Sequence, residues 1–280
     1  MSLYLRPKTV QDAVRMLAGH EGTILAGATD FFPALGDRQA TGTVIDISAI
    51  AEMQGIHTTS DDIRIGGLTT WSEVVASPLP RCFDALKSAA KEIGGIQIQN
   101  RGTVAGNLCN ASPAADGVPP LLALDADVEL VSAAGTRSVP LASFIVGNRK
   151  TLRRNDEILT RVVVKRTIDD AASVFLKLGA RRYLVISVAM VAAVVRMDDK
   201  GQVGEARVSV GSCSATAQRL RALELALLGE PVCRGLGALA TPEHLQPLSP
   251  IADVRATASY RRDAALTLVS RALEACVGKC

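Results

Sequence analysis

The 280-residue chain carries 31 basic against 28 acidic residues, a net +3 spread along its length. It therefore lacks the basic stripe that nucleic-acid binding needs. With 48% hydrophobic and 21% charged residues it reads as globular, neither disordered nor fibrous, and long enough for one large or two to three ordinary domains. Aromatics make up only 3% while glycines number 23. That balance offers no base-stacking platform and implies backbone in close approach to something. Cys82, Cys109, Cys213, Cys233, Cys276 and Cys280 form no C-x-x-C pair and have no histidine at ligand spacing, so no metal site is expected. The stretch from Met1 to Pro7 has no apolar run of signal-peptide length, and the run from Tyr183 to Val195 is too short to span a bilayer. A reduced, soluble, cytoplasmic protein without a membrane span is the expectation.

In chain order, Thr9 caps a short helix that places Val10, Ala13, Val14 and Leu17 on one face before Gly19. Residues 23–26 and 44–47 read as buried strands around a Gly-Ala-Thr-Asp turn. A strand at 63–65 leads through Gly66-Gly67 to the capping box Thr70-Trp71-Ser72-Glu73, and a helix is predicted over 81–93. Strands follow at 128–131, 138–139 and 158–164, with a turn at 134–136. After a boundary near 168–172, strands at 174–178, 183–196 and 205–210 predict a small antiparallel sheet, with a turn at 198–201. A helix over 217–228, a Pro/Gly-rich loop over 231–250 and a last helix over 260–277 complete a separate α+β unit.

Two segments concentrate the chemistry. Gly22 to Asp30 is a strand running into a turn of small residues. Gly22 and Gly27 mimic P-loop spacing, but Ala28 stands where the phosphate-binding lysine would be, so a Walker-type site fails. A tight turn without a cation points instead to backbone N–H groups offered to a diphosphate. Gly102 to Asp116 is almost entirely small, amide or hydroxyl, which suits chain packed along a polar ligand; read singly, each segment also fits a glycine-rich surface loop. Gly235-Leu236-Gly237-Ala238-Leu239-Ala240 matches a dinucleotide fingerprint in letters but follows no strand. His20, His57 and His244 accompany no nucleophile elbow, which sets a Ser/Cys hydrolase aside.

In order along the chain, Ala26-Gly27-Ala28-Thr29-Asp30, Ile65-Gly66-Gly67-Leu68-Thr69-Thr70, Thr103-Val104-Ala105-Gly106-Asn107 through Ser112 to Asp116, and Lys177-Leu178-Gly179-Ala180-Arg181-Arg182 resemble one flavoprotein group. It is the FAD-binding medium subunit of molybdenum hydroxylases, which includes the carbon monoxide dehydrogenase medium chain and the xanthine dehydrogenase FAD domain. The resemblance covers nearly the whole chain. It implies an α+β architecture: a two-subdomain FAD-binding domain of the vanillyl-alcohol-oxidase (PCMH) type over 1–167, with subdomains of about 1–55 and 56–167. A C-terminal α+β domain with a small antiparallel sheet would follow over 172–280.

By the same resemblance, Ile24, Leu25, Ala26, Gly27, Ala28, Thr29, Asp30 and Phe31 would wrap the FAD pyrophosphate, with Leu68 and Thr69 in the cofactor-binding set. Thr103, Val104, Ala105, Gly106 and Asn107 would form a second cofactor loop, with Ser112 beyond it. Asp116 would hydrogen-bond the flavin nucleotide, Ile93 and Leu159 would pack on it, and Lys177 would lie by the isoalloxazine edge, where a cation stabilises reduced flavin. Relatives usually carry Gly-Gly where this chain has Gly27-Ala28, and often where it has Ala105-Gly106; a position needing φ > 0 would then differ. The implied role is an electron-transfer subunit. A small partner with two [2Fe-2S] clusters would feed FAD, a large molybdenum-cofactor partner would oxidise the substrate, and electrons would pass to NAD, oxygen or a quinone, in a dimer of heterotrimers. The competing readings are a stand-alone flavin reductase or oxidase on the same fold and an interaction subunit that has lost its flavin.

Overall fold

The computed structural model describes residues 3–280; of the N-terminal stretch, Met1 and Ser2 lie outside the described residues. The first unit opens with a parallel sheet in which Thr43–Asp46 is central, flanked by Leu3–Leu5 and Gly22–Leu25. The helix Val10–Gly19 starts where Thr9 Oγ1 accepts the Asp12 N–H, and it buries Ala13, Val14 and Leu17 as their spacing predicts. With Ile45, Ile47, Ile50, Met53 and Leu68 they form a small aliphatic core.

The next sheet is antiparallel, in the order Ile56–Thr58, Asp62–Gly66, Ile158–Lys165, Asp127–Ser132, Gly135–Pro140. Its inner face packs on the helices Trp71–Ala76, Asp84–Glu92 and Val118–Ala123. Thr70 and Glu73 form the reciprocal capping box that the sequence predicts. The helix expected over 81–93 begins as a 3₁₀ turn, Arg81–Phe83, and Ile93 ends it in extended backbone.

The last sheet runs Ala172–Leu178, Ala189–Met197, Val203–Gly211, Gln218–Arg219, all antiparallel. Its first two strands are buried on both faces. Phe175, Met190, Ala192 and Val194 enter the core of the preceding unit, while Val174, Val191, Ala193 and Val195 face the helix Ala258–Val277 and its neighbours. Burial on both sides explains why this stretch reads as a continuous apolar run instead of an alternation.

Two expectations are corrected here. The strand predicted over 183–196 starts only at Ala189; Leu184 sits at φ +51°, which ends any extended run, and Val188 N–H donates to Leu178 O. The helix predicted over 217–228 is Arg221–Leu227, because Gln218–Arg219 pairs with residues 209–210 and Leu220 N–H is taken by Val208 O. No helix among the described residues is long and apolar enough to cross a membrane, and no group of His, Cys, Asp or Glu among them is arranged to hold a metal.

Candidate functional site: a cleft lined by small residues

A cleft of about 600 Å³ opens where the strand Gly22–Leu25 ends, bounded by the turn that follows it, the helix Val104–Asn110, the start of the strand Ile158–Lys165 and the hairpin of Ile145–Gly147 with Lys150–Thr151. That volume lies in the range of small-molecule sites. Ile24, Leu25, Ala26, Gly27, Ala28, Thr29, Asp30 and Phe31 all line it, as do Ile93, Thr103, Ala105, Gly106, Asn107 and Leu159.

The turn is held open by two backbone features. Gly27 lies against the loop before the second segment: a Cβ there would stand 2.0 Å from Arg101 O, so only glycine permits the approach. Gly66 and Gly67 are pressed in the same way against Met53 O and Leu159 O. These glycines serve backbone-to-backbone packing that shapes the cleft. Ala28 adopts φ +64°, the left-handed region, so the position where relatives usually carry glycine does demand an unusual backbone, and here alanine supplies it under strain. Among the described residues, the backbone N–H groups of 26–30 donate to no protein acceptor. A row of consecutive open donors beside a cleft is the anion-binding concavity foreseen for this turn.

The first half of the second segment is a helix, and only residues 111–117 are irregular. Thr103 is an N-cap whose hydroxyl accepts the Gly106 N–H, and residues 104–110 are helical. Neither Ala105 nor Gly106 has positive φ. Asn107 lines the cleft, and its Oδ1 is buried without a hydrogen-bond partner. Cys109 lines the same cleft, and burial pushes its thiol up to about 11, so it stays a neutral thiol near pH 7.

Six expected residues lie outside the cleft lining. Leu68 and Val104 pack in the aliphatic cores, and Thr69 Oγ1 donates to Gly55 O. Ser112 caps its own turn by accepting the Ala114 N–H. Asp116 and Lys177 pair with each other: Lys177 Nζ sits 2.7 Å from Asp116 Oδ2 and donates also to Glu92 O, while Ser187 Oγ donates to Asp116 Oδ1. Both side chains are buried, and burial pushes the Asp116 carboxyl above its ordinary value against the pull of Lys177. Lys177 instead lines a separate recess of about 480 Å³ with Ser88, Arg181 and Arg182.

The structure adds residues that lie outside the two segments: Trp71, Ile98, and the side chains Arg149, Thr151 and Arg153 on and just after the hairpin. Trp71 carried a sequence signal, since it opens a capped helix between the two segments. The hairpin residues carried none.

Fold and cleft together define a flavoprotein-type chain, an α+β FAD-binding domain joined to a smaller α+β domain. Residues 1–165 match the FAD-binding domain in molybdopterin dehydrogenase, and residues 175–276 match the CO dehydrogenase flavoprotein C-terminal domain. The chain belongs to this molybdopterin dehydrogenase FAD-binding family. It is 35% identical to the nicotinate dehydrogenase FAD-subunit of Eubacterium barkeri over 82% of this chain and 80% of that one. Identity to the xanthine dehydrogenase FAD-binding subunit of Escherichia coli O157:H7 is 31%, over 99% and 97% of the two chains. A solved carbon monoxide dehydrogenase from Hydrogenophaga pseudoflava superposes with a TM-score of 0.90 at 29% identity, covering 99% of this chain and 98% of that one. The cofactor is FAD, and the chain is an oxidoreductase subunit of the molybdenum hydroxylase class.

Proposed function

We propose that this chain is the electron-transfer subunit of a three-component hydroxylase. Single electrons would arrive from the [2Fe-2S] clusters of a small partner and leave in pairs to NAD, oxygen or a quinone, within a cytoplasmic dimer of heterotrimers that also contains a large molybdenum-cofactor subunit. FAD supplies the chemistry this requires, exchanging electrons singly or in pairs.

The protein's part is to hold and orient. The open N–H groups of residues 26–30 and the hydroxyls of Thr29 and Thr103 would take the diphosphate, Asn107 Oδ1 would accept from the ligand, and Ile93 and Leu159 would cover it with aliphatic surface. The observation that carries the reading is the chemical poverty of the cleft. Its titratable lining residues are Asp30, exposed at the rim, the high-pKa thiol of Cys109, and two arginines, Arg149 and Arg153. None of them is a histidine, a lysine or a buried carboxylate of the kind that moves a proton on a carbon substrate, whereas open donors and small side chains suit a bound dinucleotide.

Purification of the tagged chain from its native host tests this. We expect stoichiometric FAD and two co-purifying polypeptides, one with iron–sulfur absorbance and one with molybdenum, and no turnover of a carbon substrate by the isolated chain. Turnover by the isolated chain, or a chain that stays colourless with excess FAD, would overturn it.

A further inference from the structure

The turn of residues 26–30 offers neutral donors only; the lysine a phosphate loop would carry is replaced by Ala28. The fold brings cations to the same cleft from a distant part of the chain. Arg149 and Arg153 line the wall formed by the hairpin, and both guanidinium groups are held by neutral acceptors. Arg153 Nη1 donates to the carbonyls of Arg154 at 2.9 Å and Glu157 at 2.8 Å. Arg149 Nη1 donates to Asn110 Oδ1, and its backbone N–H to Ala111 O.

Neither arginine has a carboxylate partner among the described residues. The natural candidate, Glu157, is already used: both of its oxygens bind Arg137, at 2.6 and 2.9 Å, and one also takes the Arg154 N–H. Glu157 thus serves Arg137 of the strand Gly135–Pro140, and Arg153 is left with carbonyl partners alone. Two positioned guanidinium groups without a carboxylate partner, lining one cleft with a row of open N–H donors, make a site for an anion carrying more than one oxygen.

We propose that Arg149 and Arg153 supply the positive charge that the diphosphate of the dinucleotide requires, and thereby select a diphosphate-bearing flavin over one without phosphate. This rests on the FAD assignment and adds a charge-based selectivity to it. The hairpin is the cation half of the phosphate site and the 26–30 turn is its neutral half.

The test titrates the purified chain, stripped of flavin, with FAD and with riboflavin by fluorescence quenching, at low and high salt. Wild type is compared with Arg153→Gln, Arg149→Gln and the double variant. Each single change is expected to weaken FAD roughly tenfold, the usual worth of one charge-assisted contact. The double variant should flatten the salt dependence, and riboflavin affinity should stay unchanged throughout. Arg153→Lys should recover part of the loss, and unchanged thermal unfolding without flavin would exclude misfolding as its cause. Equal FAD affinity and salt dependence in wild type and double variant would overturn the proposal while leaving FAD binding intact. An equal loss of riboflavin and FAD affinity would also overturn it, since it would mark the arginines as shape-keeping. A double variant that binds FAD normally yet no longer retains its protein partners would assign the arginines to a subunit interface and overturn it too. Absence of FAD binding by wild type would instead remove the cofactor reading itself.

Discussion

The cleft and the seam between the two domains are built from opposite materials. In the cleft, the donors of residues 26–30, the Asn107 oxygen and the two hairpin guanidinium groups are left short of acceptors or counter-charges. At the seam most polar groups are spent, with Ser212 Oγ a buried exception that has no partner. Lys177, Asp116 and Ser187 satisfy one another, Ser209 Oγ donates to Pro119 O, and Ser212 N–H donates to Pro113 O. Arg207 and Arg219 bind Asp125 together with Glu205 and Glu224. Mostly paired polar groups join the domains, while the cleft gathers open donors along one wall. The contrast separates residues that look alike in sequence: Asp116 closes the small-residue segment that Thr103 opens, yet it belongs to the seam.

The largest test of that contrast breaks the seam. Asp116→Asn leaves the Lys177 ammonium buried without its carboxylate, and we expect a loss of about 3–5 kcal/mol in urea unfolding. Adding Lys177→Met should restore much of it. If Asp116→Asn left stability unchanged and removed only FAD, Asp116 would belong with the cleft. Next, Gly27→Val forces a side chain into Arg101 O and should cost about 1–3 kcal/mol through overpacking, with FAD retention lost as the turn shifts. Gly106→Ala meets only Thr103 Oγ1, so a cap worth about 1 kcal/mol is the most it disturbs, and FAD should stay bound. Ala28→Gly relieves the left-handed alanine and should stabilise the protein by about 0.5–1 kcal/mol in thermal unfolding, with FAD affinity kept.

The smallest effect concerns the pair behind the hairpin. Arg137 holds the Glu157 carboxyl below its ordinary value. Its contribution is therefore fully present above about pH 4.3 and fades as pH falls through the lower folded value. Wild type should exceed Glu157→Gln in stability at pH 6, with the gap closing toward pH 3. A gap that widened in acid would reverse the sign and show that Glu157 is not the partner of Arg137.

Much of the molecule was legible from local signals. The Thr9 and Thr70 caps, the Ala13-Val14-Leu17 face and the turn at 26–30 rest on neighbours within a few residues, where spacing and side-chain chemistry decide. The misreadings share one cause. Residues 183–188 carry the same apolar letters as the strand after them, and only a left-handed Leu184 and the bond from Val188 to Leu178 separate the two. Gln218–Arg219 has no strand pattern of its own and becomes one by pairing with residues 209–210. The resemblance implies a cofactor loop over Thr103 to Asn107; the Thr103 cap and burial of Val104, Ala105 and Leu108 make residues 104–110 helical despite Gly106 and Asn107.

The opening imbalance of many glycines and few aromatics marks the boundary between the two kinds of information. Sequence alone determined that backbone must come unusually close to something and that the turn at 26–30 has no cation of its own. Tertiary structure decided that Gly27, Gly66 and Gly67 are pressed against carbonyls of the chain itself, that Asp116 is held by Lys177, and that the missing cations return as Arg149 and Arg153. Each of those pairings joins residues far apart in the chain, and a distance between them exists only once the sheets and helices have closed around a common core.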